Sequence, residues 1–252
     1  MAKYLLSIGL LLGTSVENLF GQSIQTDRPD QTECPFIVPK KFIQLENGFL
    51  VENKIKSSQT LNHPSTLWKY GMSERFELRL ITELISEKTD AETIVGLSPV
   101  TVGFKVNICT EKGLLPMTSF IGHLTTSHVA TKEFHTSYFA PSFRFTMQHT
   151  LSDKFTLGYN LGAEWDGETA APTYIDTLTT GVSITEKFGG YVELYGFVPQ
   201  KEIADHRFDG GLTYLLTDNF MIDISGGVGL SKNAPKNYFA IGLSFRFNTA
   251  KK

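Results

Sequence analysis

Cysteine is almost missing: Cys34 and Cys109 are the two in 252 residues. That excludes a small disulfide-stapled domain and any four-cysteine metal site. The two thiols could pair in an oxidising compartment, since the strand order below brings both near one rim, or stay free without a role. No block of like charges exists either. The 23 basic and 26 acidic residues, net charge −3, are scattered, which argues against a nucleic-acid partner, because a phosphate backbone needs a clustered cationic face. The six histidines show no close-spaced pair suited to zinc, so neither a metal nor a cofactor is expected. Beyond the N-terminus no run approaches the roughly 18 apolar residues of a membrane helix. If the mature chain spans a bilayer, it must do so as a closed barrel, in which every backbone polar group finds a partner.

What is present points the same way. Phenylalanine (19), tyrosine (9) and glycine (22), falling in alternating stretches, suit extended strands rather than helices. Lys3 followed by the apolar residues 4–13 reads as a secretory signal, too short to span a bilayer, with cleavage near Gly21 or Gln22. A buried N-terminal helix is the alternative. The resulting division is a signal peptide at 1–22, an N-terminal segment at 23–40 and a barrel at 41–252.

Period-two patterning is clearest at 238–247, where Phe239, Ile241, Leu243, Phe245 and Phe247 share one face against Tyr238, Ala240, Gly242, Ser244 and Arg246. Residues 155–166 and 220–229 repeat it. Weaker versions run through 41–53, 66–71, 75–84, 99–109, 116–126, 137–149, 173–185, 191–198 and 207–216. The connections alternate short (72–74, 111–113, 150–153, 186–189, 217–219) with long (54–65, 85–98, 127–136, 167–172, 200–206, 231–237). About twelve strands with alternating loops predict an all-β fold: a transmembrane antiparallel up-and-down β-barrel, both termini on the periplasmic side. Aromatics near strand ends, Trp68, Tyr70, Trp165, Tyr174, Tyr191 and Phe247, suit interfacial girdles.

One face of these strands is oily. The other carries the candidate lumen residues: Glu46 and Glu52 in the first strand, then Arg75, Glu77, Arg79 and Glu83. Lys105, His123, Arg144 and Glu164 follow, and Arg207, Asp209, Asp223 and Arg246 come from the last strands. Asp166 shares the side of Glu164.

Residues 25–40, QTDRPDQTECPFIVPK, contain three prolines and cannot form a central strand. Asp27, Arg28, Asp30 and Glu33 are too polar for lipid. The segment therefore rests at the periplasmic mouth, folds into the lumen as a partial plug, or forms a proline-stiffened tether. TDRPDQTE, then PF, VPK and QLENGF, resemble the opening of a Bacteroidetes-type family of bacterial outer-membrane barrels, labelled transporters of the meta-pathway of phenol degradation. The match covers about thirty residues, with Cys34 where the family pattern suggests a small residue such as serine. The resemblance implies passage of hydrophobic or aromatic small molecules.

Catalytic signatures are thin. Ser127 and His128 in a long loop supply the residue types of a lipid hydrolase or deacylase without a recognisable order. GGVG at 226–229 lies inside a strand, not before a helix, so no phosphate-cradling loop is present. The expectation is a non-enzymatic channel of the cell outer membrane. Its partners would be small solutes, membrane lipid and the barrel-assembly machinery. A Ser/His hydrolase and a structural or adhesion barrel are the alternatives.

Overall fold

The computed structural model describes residues 23–250 apart from 56–57, so the expected signal peptide lies outside the described residues. Thirteen antiparallel strands make one sheet. The first six are β1 (Phe42–Asn53), β2 (Gln59–Ser73), β3 (Phe76–Lys88), β4 (Thr93–Leu97), β5 (Thr101–Cys109) and β6 (Met117–Thr125). After a 3-10 turn at Lys132–Phe134 come β7 (Ala140–Thr150), β8 (Phe155–Glu164), β9 (Thr173–Ser183) and β10 (Phe188–Pro199). The last three are β11 (Asp205–Thr217), β12 (Phe220–Gly229) and β13 (Asn237–Asn248). Apart from β4, which β5 bypasses to pair with β3, each strand pairs with its sequence neighbours. β1 also pairs along its whole length with β13, from Phe42↔Asn248 to Asn53↔Asn237, and this seam closes the cylinder. Twelve strands are staves; β4 is an extra strand that pairs with residues 84–88 of β3, while β5 takes 76–81.

Closure removes the unpaired edges that an open sheet would present to lipid. Short turns, such as the two residues between β2 and β3, lie at the rim that carries both strand-bearing ends. The longer connections lie at the opposite rim, called here the loop rim. Burial shows which side is which. In β10, Val192 is 54% exposed, Glu193 1% and Leu194 50%. A soluble protein buries the aliphatic residues and exposes the acid. Here the order is inverted, and it stays inverted in Phe239 and Ile241 outside against Ala240 and Ser244 inside. A continuous apolar exterior of this kind is suited to hydrocarbon and not to water. Trp68, Tyr174 and Phe247 stand on that exterior.

Three details depart from the sequence reading. β2 begins at Gln59, where a loop to residue 65 was expected, and the stretch 85–98 holds the end of β3 and all of β4. Alternation could not reveal the ends of β2 and β3, where Thr60, Asn62, His63, Glu87 and Lys88 put polar residues on both faces, and β4 has only five residues in which to show a period. Pro64 sits where β2 shifts register against β3, between Asn62 and Ser65, one of the few places a strand accepts proline. Tyr191, expected in an aromatic girdle, points inward and is 9% exposed.

The inversion can be tested on one residue. Leu178, half exposed on the outside of β9, lies midway along its strand. Leu178→Arg should cost about 2–4 kcal/mol of unfolding free energy in lipid vesicles, read from urea titrations. A cost near zero would place that face in water.

Candidate functional site

Strand alternation and cross-strand register together decide which charges meet inside. Glu46 of β1, Lys69 of β2, Glu77 and Arg79 of β3 and Lys105 of β5 all point inward. Pairing sets Gln44 opposite Lys69, Lys69 opposite Arg79, and Glu77 opposite Lys105. The result is a patch of buried ions on one wall: Lys69, Lys105, Glu46 and Glu77 are each 0–1% exposed. Buried charges of this kind survive only when paired and hydrogen-bonded.

Residues 23–40 complete the pairing from within the lumen as an irregular strap. Asp27 lies against three cations at once: Lys105 Nζ at 2.8 Å, Arg79 Nη1 at 2.9 Å and Lys69 Nζ at 3.0 Å. Burial opposes ionisation of Asp27, but Lys105, Lys69 and Arg79 outweigh it and hold the carboxyl well below its usual range. Glu33 meets Arg79 Nη2 at 2.6 Å, while Lys69 also holds Glu46 at 2.5 Å. The strap's backbone, which has no sheet to join, is satisfied by wall side chains. Asp27 and Arg28 N–H groups donate to Glu46, and Val38 N–H donates to Glu77. Gln31 and Thr32 N–H donate to Glu193 across the lumen. Asn160 accepts from Glu33 N–H and donates to its carbonyl. Ser119, Lys105 and Arg144 donate to the carbonyls of Pro35, Cys34 and Gln31.

Arg28 shows why two glycines face each other across the closing seam. Gly48 and Gly242 are cross-strand partners. A Cβ on Gly48 would collide with the Arg28 guanidinium, and one on Gly242 would sit 2.5 Å from Nε. The notch lets Arg28 reach Asp223, at 2.8 Å. Asp30 has no such partner. Burial and then the neighbouring Glu193 push its carboxyl well above the usual range.

Of the expected lumen residues, Glu46, Glu77, Arg79, Lys105, Arg144, Asp209 and Asp223 face inward near the strap. His123 faces inward too, and its Nε2 has no hydrogen-bond partner among the described residues. Glu164 faces the lumen near the loop rim, in the field of Arg144. Arg246 sits at the terminal rim, bonded to Asn219 and stacked on Phe42. Arg75 is a correction: it lies exposed in the turn between β2 and β3, not in the lumen. Alternation fixes the face of a strand residue but not where the strand starts, and Arg75 falls one residue short of β3. Asp166 is likewise a loop residue, binding the 168 and 169 N–H groups. Lys69, Asn160 and Glu193 were not singled out from sequence, although the alternation of Trp68-Lys69-Tyr70 and Val192-Glu193-Leu194 marks two of them as inward. Cys34 and Cys109 are free thiols.

Outside the lumen, Ser127 Oγ lies 2.7 Å from His128 Nδ1, and the His128 ring lies 4.9 Å from that of His135. Among the described residues no carboxylate pairs with His128 to orient it as a general base.

Two cavities flank the strap. The loop-side one, about 350 Å³, has an apolar strip of Leu50, Leu67, Ile81 and Ala240 facing Glu52, Glu83, Arg144 and Arg207. The terminal-side one, about 310 Å³, narrows into a chamber of about 200 Å³ beside Pro29 and Asp30, walled by Thr156, Gly181 and Thr213. Arg28, Pro29, Asp30 and Glu33 border both the chamber and the loop-side cavity. The strap is thus the partition between two vestibules.

Among solved structures, the fold is similar to an outer-membrane channel from Pseudomonas putida F1 (TM-score 0.67, 12% identity, 87% of this chain and 99% of that one). It is also similar to KdgM porin (0.56, 9%, 81% and 99%) and to NanC porin (0.54, 12%, 81% and 98%). At such identities the likeness is one of fold. No curated protein matches the chain in sequence. The family described as "Putative MetA-pathway of phenol degradation" matches residues 26–247, from the strap to the end of the last stave, and the chain belongs to that family.

Proposed function

We propose that this chain is an outer-membrane channel for small solutes, exported by the signal at 1–22 and inserted by the barrel-assembly machinery, whose lumen is narrowed by the strap at 23–40. The observation that carries the reading is the pair of vestibules on either side of a strap held in a polar lumen. A protein whose inside is lined by charge and whose outside is oily has its solvent path along its own axis. The fold shared with outer-membrane channels and porins supports the same reading.

The solute class follows from the vestibule. A cavity of about 350 Å³ lies at the small end of ligand-sized pockets. Its apolar strip faces charged groups, so it suits a small organic molecule with one apolar and one polar end. A monoaromatic compound fits that description, in keeping with the family's description. The Ser127–His128 contact supports no hydrolase here, since the hydroxyl and the ring are sequence neighbours in a loop and the ring lacks an acid partner. The candidate path residues are those of the partition and its walls, Asp27, Arg28, Asp30 and Glu33 with Glu46, Glu77, Arg79, Lys105, Arg144, Asp209 and Asp223.

Deleting residues 25–40 should raise single-channel conductance in planar bilayers at least severalfold, in protein whose heat-modifiable gel shift shows that the barrel still folds. Asp27→Asn, which leaves three buried cations with one less anion, should weaken strap docking by about 3–5 kcal/mol and raise conductance in the same direction. Unchanged conductance in both variants would remove the strap from the path.

Asp30 yields a pH test. A carboxyl raised in the folded state contributes its stability below the unfolded value of about 3.9 and loses it as pH rises through the folded value. Asp30→Asn should therefore raise the melting temperature of detergent-solubilised protein at pH 8 and leave it unchanged near pH 4. A destabilised variant at pH 8 would contradict the assignment.

A further inference from the structure

Three carboxylates on one side of the partition are left without a cation. Glu193 and Asp209 are register partners on β10 and β11, and Asp30 of the strap lies close enough to both to feel their charge. The nearby cations are committed elsewhere. Arg28 is paired with Asp223 at 2.8 Å, and Arg207 binds Asp205 at 2.5 Å and Glu52 at 2.7 Å. Among the described residues no ion pair reaches Asp30, Glu193 or Asp209, although Glu193 and Asp209 are each 1% exposed.

The carboxylates are framed by phenols set into glycine gaps. The Tyr191 ring lies over Gly211, where a Cβ would come within 2.5 Å of it, and the Tyr238 ring lies over Gly227 in the same way. Tyr238 donates its hydroxyl to Asp209 Oδ2. What remains is a set of buried polar atoms that make no well-formed hydrogen bond among the described residues, Asp209 Oδ1, Tyr191 Oη and Ser225 Oγ, on residues 1%, 9% and 4% exposed; their polar neighbours are one another, Tyr191 and Glu193 beside Asp209 and Ser225 beside Tyr238. Buried groups of this kind are satisfied by something. Asp30 and Tyr191 border the terminal-side chamber, while Asp30, Ser225 and Tyr238 border the loop-side vestibule. Asp30, Tyr191, Ser225 and Tyr238 therefore stand where a solute crosses from one to the other, with the buried Glu193 and Asp209 in the wall behind them.

We infer that Asp30, Tyr191, Glu193, Asp209, Ser225 and Tyr238 form a binding subsite for the protonated amine of a small organic solute, an assignment that rests on the channel reading and narrows it to a substrate class. The chemistry favours an ammonium over a metal ion. No group of three acidic or imidazole ligands converges among the described residues. A primary ammonium, by contrast, donates three hydrogen bonds and can meet a carboxylate, a hydroxyl and a phenol together. Tyrosine ring faces attract organic cations as well. The unmatched carboxylates supply the charge, and the apolar strip of the loop-side vestibule takes the hydrocarbon end.

The test is calorimetric titration of the folded full chain in detergent at pH 8 with benzylamine, using benzyl alcohol as the uncharged isostere and calcium chloride as a metal probe. Benzylamine should bind saturably, benzyl alcohol should not, and calcium should not displace the amine. Asp209→Asn and the milder Tyr238→Phe, both checked for heat-modifiable mobility, should weaken amine binding about tenfold and about threefold. Absence of saturable binding, equal binding of the alcohol, displacement by calcium, or unchanged affinity in both folded variants would each overturn the assignment. Failure of the channel reading itself would appear separately, as a barrel that passes no solute whether or not it binds the amine.

Discussion

Asp27 is the constraint around which the interior is arranged. Lys69, Arg79 and Lys105 come from three adjacent staves and converge in a space with almost no exposed surface. The wall answers them with Glu46 and Glu77, two anions against three cations. A cylinder so lined would hold uncompensated charge in a poorly hydrated cavity, at a cost of several kcal/mol per ion. The strap supplies the missing anions through Asp27 and Glu33, and Lys105 also bonds the carbonyl of Cys34. Strap and barrel are therefore one electrostatic unit. The strap has no sheet or helix to hold it, and its order comes from wall side chains acting as backbone partners.

This arrangement makes the lumen asymmetric. The wall from β1 to β5 is consumed in gripping the strap. Across the lumen, threonine and glycine on the inward faces of β8, β9 and β11 leave room, and Thr156, Gly181 and Thr213 wall the chamber beside the strap. The open route lies beside those small side chains, bordered by Asp30 and the acids of β10 and β11. A twelve-stranded barrel is wide enough to need filling and too narrow for an open pore with its core full. The strap meets that need by crossing the lumen, bonding β8, β9, β10 and β12 as well as the wall from β1 to β5, and leaves a path beside the small residues of β8, β9 and β11.

Much of this was legible in the amino-acid order. The stretches that became β8, β12 and β13 alternate cleanly because lipid constrains one face and the lumen the other, so both parities carry signal. The signal failed in the outer part of β2, which carries polar residues on both faces, and in β4, whose five residues TIVGL are too few to show a period. Arg75 was misplaced by one residue because alternation does not mark strand ends. The strap's composition left mouth, plug and tether open, since its contacts with Glu77, Glu193 and Asn160 span 39 to 162 positions of sequence. Non-local pairing of an irregular segment leaves no local periodicity to read. The three-way grip on Asp27 was out of reach for the same reason, although each of its cations sat on an inward parity.

The most direct measurement of this account is a crosslink between strap and wall. Thr32 Oγ1 lies 2.6 Å from Thr177 Oγ1 on β9, within reach of a disulfide between cysteines at the two positions. In a protein carrying Cys34→Ser and Cys109→Ser, the double variant Thr32→Cys/Thr177→Cys should form that bond on mild oxidation of the folded barrel in lipid, detected by mass spectrometry of the linked peptides. Two free thiols, alkylated at the same rate as in either single variant, would mean that the strap does not lie in the lumen, and the account would fail at its centre.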